Sequence, residues 1–187
     1  MIFPSPVLDC RIVLVIGGAR SGKSRYAQAL AEASGRERLF IATAEALDDE
    51  MRDRIRRHQE DRRERWRTRE EPLELAKVLA GEAAPERVAL VDCLTLWLSN
   101  LMHAGRSPER EIESLIATLG RLGGPAILVS NEVGLGIAPM TPLGRVFRDW
   151  QGRLNSEVAG VADVVVAMTA GLPRLAKPAP APNLRFV

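Results

Sequence analysis

The run Arg11-Ile12-Val13-Leu14-Val15-Ile16-Gly17-Gly18-Ala19-Arg20-Ser21-Gly22-Lys23-Ser24 decides the fold. Its first part is short, apolar and β-branched, which predicts a strand buried on both faces. Its second part matches G-x-x-x-x-G-K-[ST] at Gly17, Gly22, Lys23 and Ser24. The residues that follow, Lys23 to Ser34, predict a helix with Tyr26, Leu30 and Ala33 on one face and Gly35 placed to stop it. A glycine-rich turn between strand and helix lets several backbone N–H groups face inward onto phosphate oxygens. The helix N-terminus adds partial positive charge. In such a loop Lys23 neutralises the β- and γ-phosphates of a nucleoside triphosphate, and the Ser24 hydroxyl ligates Mg²⁺. The context of strand before and helix after makes this specific rather than a bare pattern.

Outward from that run, short apolar segments alternate with amphipathic ones. Leu39–Ala42, Val88–Val91, Ala126–Val129 and Val164–Met168 are expected strands. The segment from Asp48 to about Arg67, then Leu73–Ala80, and the helically spaced Leu94/Trp97/Leu98/Leu101, Ile112/Leu115/Ile116/Leu119 and Val146/Trp150/Leu154/Val158 are expected helices. Asn131 to Pro139 is an expected loop. The alternation predicts an α/β fold with a mostly parallel central sheet flanked by helices. The 187 residues suit one domain over 1–177, which buries about 70% of its unfolded surface. Pro178-Ala179-Pro180-Ala181-Pro182 opens a proline-rich tail over 178–187.

A strand that ends in an acid usually completes a phosphate-loop site. Asp92, after Val88–Val91, is the candidate for contact with Mg²⁺ or Ser24; it could equally cap the next helix. Glu132 also follows a strand, at the carboxyl edge where open α/β sheets bind ligands. It could contact metal, activate a hydroxyl, or be a plain loop carboxylate.

Arg52 to Arg69 holds nine arginines against four acids. Arg54, His58 and Arg62 fall at i, i+4 and i+8 and share one helix face. Their positive field disfavours the protonated imidazole. From residue types alone the helix is a solvated charged face, a nucleic-acid patch, or a nucleotide-handling surface with His58 as nucleophile. His103 sits where a helix should end, and a C-terminal capping role accounts for it.

Composition narrows the classes. Net charge is +2, with 46% hydrophobic and 27% charged residues, values of a globular protein with no global field for nucleic acid or membrane. No apolar run nears the ~20 residues of a membrane span, and Met1-Ile2-Phe3-Pro4-Ser5-Pro6 lacks the features of a secretion signal. The expected location is the cytoplasm. Cys10 and Cys93 have no metal-ligand spacing and are expected to be small, partly buried apolar residues.

Taken together, the residues resemble the bifunctional adenosylcobinamide kinase / adenosylcobinamide-phosphate guanylyltransferase family of cobalamin biosynthesis. The carriers are Gly17 to Arg25, Ile41-Ala42-Thr43-Ala44, Leu47-Asp48-Asp49-Glu50-Met51, Arg54-Ile55 with His58, Trp66-Arg67-Thr68, Asp92-Cys93-Leu94-Thr95, Ser99-Asn100-Leu101, Asn131-Glu132-Val133-Gly134, Phe147-Arg148-Asp149 through Gly152 to Asn155, and Ala162-Asp163. The phosphate loop is generic, whereas Asp-Asp-Glu-Met, the histidine spacing and Asn-Glu-Val-Gly are specific. One position departs: Arg63 stands where the family usually has proline. The resemblance implies phosphorylation of adenosylcobinamide with ATP or GTP and Mg²⁺. It then implies transfer of GMP from GTP through a guanylylated histidine, with His58 at the matching position. It further implies that Gly17, Gly18, Ala19, Arg20, Ser21, Gly22, Lys23 and Ser24 bind nucleotide. To these it adds Thr43, Ala44, Glu45, Gln59, Glu60, Asp61, Arg62, Glu70 and Asp92. It implies a RecA-like P-loop sheet and a homotrimer, with no nucleic-acid partner and no membrane span. The alternatives are a P-loop kinase of another small metabolite without nucleotidyl transfer, a nucleic-acid-stimulated ATPase and a regulatory nucleotide switch.

Overall fold

The computed structural model describes residues 9–44 and 66–178. Residues 48–65 of the arginine-rich helix expected from Asp48 to about Arg67, and the proline-rich tail beyond 178, therefore lie outside the described residues. Among the described residues seven strands form one sheet: β1 (Ile12–Gly17), β2 (Glu37–Ala42), β3 (Arg67–Glu70), β4 (Arg87–Asp92), β5 (Ala126–Asn131), β6 (Val164–Thr169) and β7 (Leu172–Lys177). The order is β3-β2-β4-β5-β1-β6-β7. Every pairing is parallel except β6 with β7. β5 thus separates the phosphate-loop strand β1 from the acid-ended strand β4, as a RecA-like sheet requires.

Successive strand residues point to opposite faces, and the core divides accordingly. Ile12, Leu14, Leu39, Ile41, Val91 and Leu128 face one side. Val13, Val15, Phe40, Leu90, Val129 and Val166 face the other. The first face is covered by α2 (Leu75–Glu82), α3 (Leu94–His103), α4 (Pro108–Gly120) and α5 (Pro142–Val161). Trp97 of α3 is fully buried there, and its indole N–H donates to Leu73 O at 2.9 Å. The second face packs α1 (Lys23–Ala33), which contacts the strands through Ala27 and Ala31. Small side chains at those positions bring the helix that follows the phosphate loop close to the sheet.

The five expected strands are present, and two more edge them. β3 takes up Arg67, which the sequence assigned to the end of a helix. β7 occupies Leu172–Lys177 and is reached through Ala170 and Gly171, both at positive φ (50° and 81°), the backbone a two-residue hairpin loop favours. Asn131 ends β5 rather than opening a loop. α2 starts two residues later than its apolar spacing suggests. The reason is that the Glu71 carboxylate accepts from Leu73 N (3.1 Å) and Glu74 N (2.8 Å), holding a turn there. Ser34 caps α1 instead of lying within it. Cys93 is buried as expected, but Cys10 is exposed.

One carboxylate fixes the start of β1. Asp163 Oδ2 accepts from the N–H groups of Arg11 and Ile12, both at 2.8 Å. Those bonds, Ile12 first, hold its carboxyl below the usual carboxylate range. On the opposite sheet edge the loop after β5 leaves Leu135, Ile137 and Met140 about nine-tenths exposed, with Leu143 and Val146 continuing the ridge along α5.

Candidate active site

The six parallel strands end on one edge, and the register brings distant residues together there. Gly17 pairs with Asn131 and Met168, Asp92 with Val129 and Ala42, and Ala42 with Glu70. Thr43 and Ala44, Glu70, Asp92, Glu132 and the phosphate loop therefore share the carboxyl edge, where ligands bind in open α/β sheets.

The loop from Gly17 to Ser24 has the expected shape. Gly17 lies at φ 154° and Gly22 at 92°. A Cβ on Gly17 would come within 2.5 Å of Met168 O and 2.9 Å of Ser21 Oγ, so no side chain fits. Gly18, Ala19 and Arg20 are exposed, and Arg20 has φ 55°. Lys23 is only 7% exposed and its Nζ donates to Gly18 O at 2.6 Å. The Ser21 hydroxyl is buried and, among the described residues, has no hydrogen-bond partner. An orphaned hydroxyl of this kind costs about 1–3 kcal/mol, a cost that a phosphate oxygen would offset. The hairpin between β6 and β7 braces the loop from outside, since Gly171 N donates to Ser21 O at 3.1 Å.

Ser24 stands half-buried on the first turn of α1, and Asp92 ends β4. Both offer hard oxygen donors suited to Mg²⁺, which keeps several waters and substrate phosphates as its other ligands. No cluster of three or more His, Cys, Asp or Glu that could hold a metal occurs among the described residues. Asp92 does not cap α3; the cap position is Cys93, without a side-chain bond. The Asp92–Cys93 peptide is cis. Burial, with Asp92 second, pushes the Cys93 thiol up to about 11.

Thr43 is fully buried. Its Oγ1 donates to Cys93 O (2.7 Å) and accepts from Cys93 N (2.8 Å), while Asn100 Nδ2 donates to Thr43 O (2.7 Å). Its hydroxyl is thus committed to the turn after Asp92. Glu70 is exposed at the end of β3. Glu45, His58, Gln59, Glu60, Asp61 and Arg62 lie outside the described residues. His103 ends α3, with Nδ1 2.8 Å from Ser99 O, while the cap position itself is Ala104.

The sequence left one feature of the site unseen. Beneath Asn131 and Glu132 lies a buried polar network. Ser130 Oγ donates to Asn155 Oδ1 (2.6 Å), and Gln151 Nε2 donates to both Ser130 Oγ and Asn155 Oδ1 (2.9 Å each). Asn155 Nδ2 donates to Asn131 O (3.0 Å), and Asn131 N donates to Thr95 Oγ1 (2.9 Å). The available signal was Gln151 and Asn155, four apart on the same α5 face as Leu154 and Val158. An open cavity of about 500 Å³, lined by Cys10, Val13, Leu30, Val88 and Ile127, lies at the opposite sheet edge and touches none of this chemistry.

The family model described as cobinamide kinase / cobinamide phosphate guanyltransferase matches residues 13–175. The chain is 50% identical over 163 residues to the bifunctional adenosylcobalamin biosynthesis protein CobP of Pseudomonas aeruginosa, covering 86% of this chain and 94% of that protein. It is 40% identical over 176 residues to the bifunctional adenosylcobalamin biosynthesis protein CobU of Escherichia coli, covering 86% and 97%. Among solved structures it is similar to the P4 protein from bacteriophage phi6 in complex with ADP, at 16% identity and a TM-score of 0.45, over 92% of this chain and 56% of that one.

Proposed function

This chain belongs to the cobinamide kinase / cobinamide phosphate guanyltransferase family, and from that premise we propose how its residues divide the two reactions. In the first, the aminopropanol hydroxyl of adenosylcobinamide attacks the γ-phosphate of ATP or GTP. Residues Gly17 to Ser24 cradle the triphosphate by backbone N–H groups, and Lys23 offsets its charge. Ser24 and Asp92 hold Mg²⁺, which when bound draws charge from the β- and γ-oxygens. Thr43 acts as a positioning residue, fixing the turn after Asp92, while Ala44, Glu45 and Glu70 line the nucleotide. In the second reaction a ring nitrogen of His58 attacks the α-phosphorus of GTP and pyrophosphate departs, its charge offset by Arg54 and Arg62. Gln59, Glu60 and Asp61 belong to the same nucleotide-binding stretch. An oxygen of adenosylcobinamide phosphate then attacks the phosphoramidate, the P–N bond breaks, and adenosylcobinamide-GDP leaves.

The observation that carries this reading is convergence. The phosphate loop, Thr43, Glu70 and Asp92 end on one sheet edge, in a chain that matches the family from residue 13 to 175. The test is incubation with Mg²⁺ and GTP labelled at the α-phosphate, without corrinoid. The expected result is protein-bound label that is acid-labile and base-stable. No label, with triphosphate binding intact, would leave a P-loop kinase without a nucleotidyl step.

Dependence on nucleoside triphosphates is the ground for reading the enzyme as cytoplasmic. Among the described residues no helix is long and apolar enough to cross a membrane. The homotrimer is read from the family resemblance and from the exposed ridge Leu135, Ile137, Met140 and Leu143, an apolar surface of the kind that assembly covers. Ile137→Asp with Met140→Asp is expected to lower the mass measured by light scattering from three chains to one. An unchanged mass would show that this ridge does not hold the assembly.

A further inference from the structure

We infer that Glu132 is the base of the kinase reaction, taking the proton from the acceptor hydroxyl as it attacks the γ-phosphate. This deepens the functional reading above and rests on it. Three observations carry the inference.

The first is location. Glu132 follows β5, the strand between β1 and β4, so it stands between the phosphate loop and Asp92. Its own N–H donates to Gly17 O at 3.0 Å, which ties its backbone to the first glycine of the loop.

The second is rigidity. Asn131, the residue before it, is held on both sides. Its carbonyl accepts from Asn155 and its N–H donates to Thr95, over a network that also engages Ser130 and Gln151. Ser130, Gln151, Asn155 and Thr95 are all buried. Apolar residues of similar size would fill this place without the about 1–3 kcal/mol risk attached to each unmade buried hydrogen bond. What the polar network supplies is one fixed backbone position, the condition for a side chain that must meet a reacting atom.

The third is availability. Among the described residues the Glu132 carboxylate is engaged only through Oε1, which accepts from Gly134 N at 3.1 Å, and the residue is half-exposed at the sheet edge. That single bond orients the carboxylate and leaves the second oxygen to accept a proton.

The step balances. The hydroxyl proton passes to the Glu132 carboxylate as the hydroxyl oxygen bonds to the γ-phosphorus. The bond from that phosphorus to the β,γ-bridging oxygen breaks, and the electron pair leaves with the nucleoside diphosphate. Guanylylation of His58 needs no such base, because its nucleophile is a neutral ring nitrogen. The two half-reactions therefore separate the roles.

The experiment is Glu132→Gln in the full-length protein, assayed for adenosylcobinamide phosphorylation and, independently, for self-labelling by α-labelled GTP. The expected result is a fall in kcat for phosphorylation of about 10²- to 10⁴-fold, the usual span for a general base. Self-labelling and triphosphate affinity stay at wild-type level. Unchanged phosphorylation overturns the assignment. A parallel fall in phosphorylation and labelling overturns it as well, since it marks a structural or metal-holding role. A wild-type protein that neither phosphorylates nor labels would instead refute the functional reading itself.

Discussion

His58→Ala is expected to abolish GMP transfer and leave adenosylcobinamide phosphorylation largely intact. The loss in transfer should reach at least on the order of 10⁴-fold, because the covalent route disappears when its nucleophile is removed. Phosphorylation survives because its nucleophile is the substrate's own hydroxyl and its triphosphate is held by the loop after β1. Chromatography of the corrinoid products reads both steps at once: the monophosphate should accumulate and the GDP-linked product should be missing. Persistence of the GDP-linked product in this variant would remove His58 from the mechanism.

Lys23→Ala is expected to depress both steps by about 10²- to 10³-fold, the scale for removing one charge-stabilising donor from a phosphoryl-transfer site. The lysine is buried under its own loop, with Nζ on Gly18 O. Its loss therefore removes both a charge and a strut of the cradle. Initial rates of the two half-reactions, measured separately, check the claim. If only phosphorylation fell, guanylylation would have to use a second triphosphate site.

How much of this was legible in the residues depends on where each element sits. Strands buried on both faces announce themselves, and Ile12–Ile16 and Ala126–Val129 are unbroken apolar runs. The two edge strands do not. Arg67-Thr68-Arg69-Glu70 is wholly polar and exposed, and among the described residues it pairs on one side only. Leu172–Lys177 contains Pro173, which argues against a strand unless that strand lies at an edge. Missing β7 also hid the hairpin loop whose Gly171 N–H supports Ser21. Within the site, the phosphate loop and Asp92 were visible because their spacing is fixed by the ligand they would hold. The network of Thr95, Ser130, Gln151 and Asn155 was not, because it joins one strand to two helices and no periodicity links them.

The place of β1 in the sheet also governs when the site can come into being. Ile12 pairs with Ala126 on one side, and Val13 pairs with Val164 on the other. As the chain leaves the ribosome, the phosphate-loop strand is made well before either of its neighbours, since the pairing partners Ala126 and Val164 lie far downstream of Ile12 and Val13. Contacts of such long range are the slow ones in folding. Lys23 and its loop thus wait, until β5 and β6 are made, without the strands that shape them. Triphosphate capture is then a property that the chain acquires only once β5 and β6 have been made.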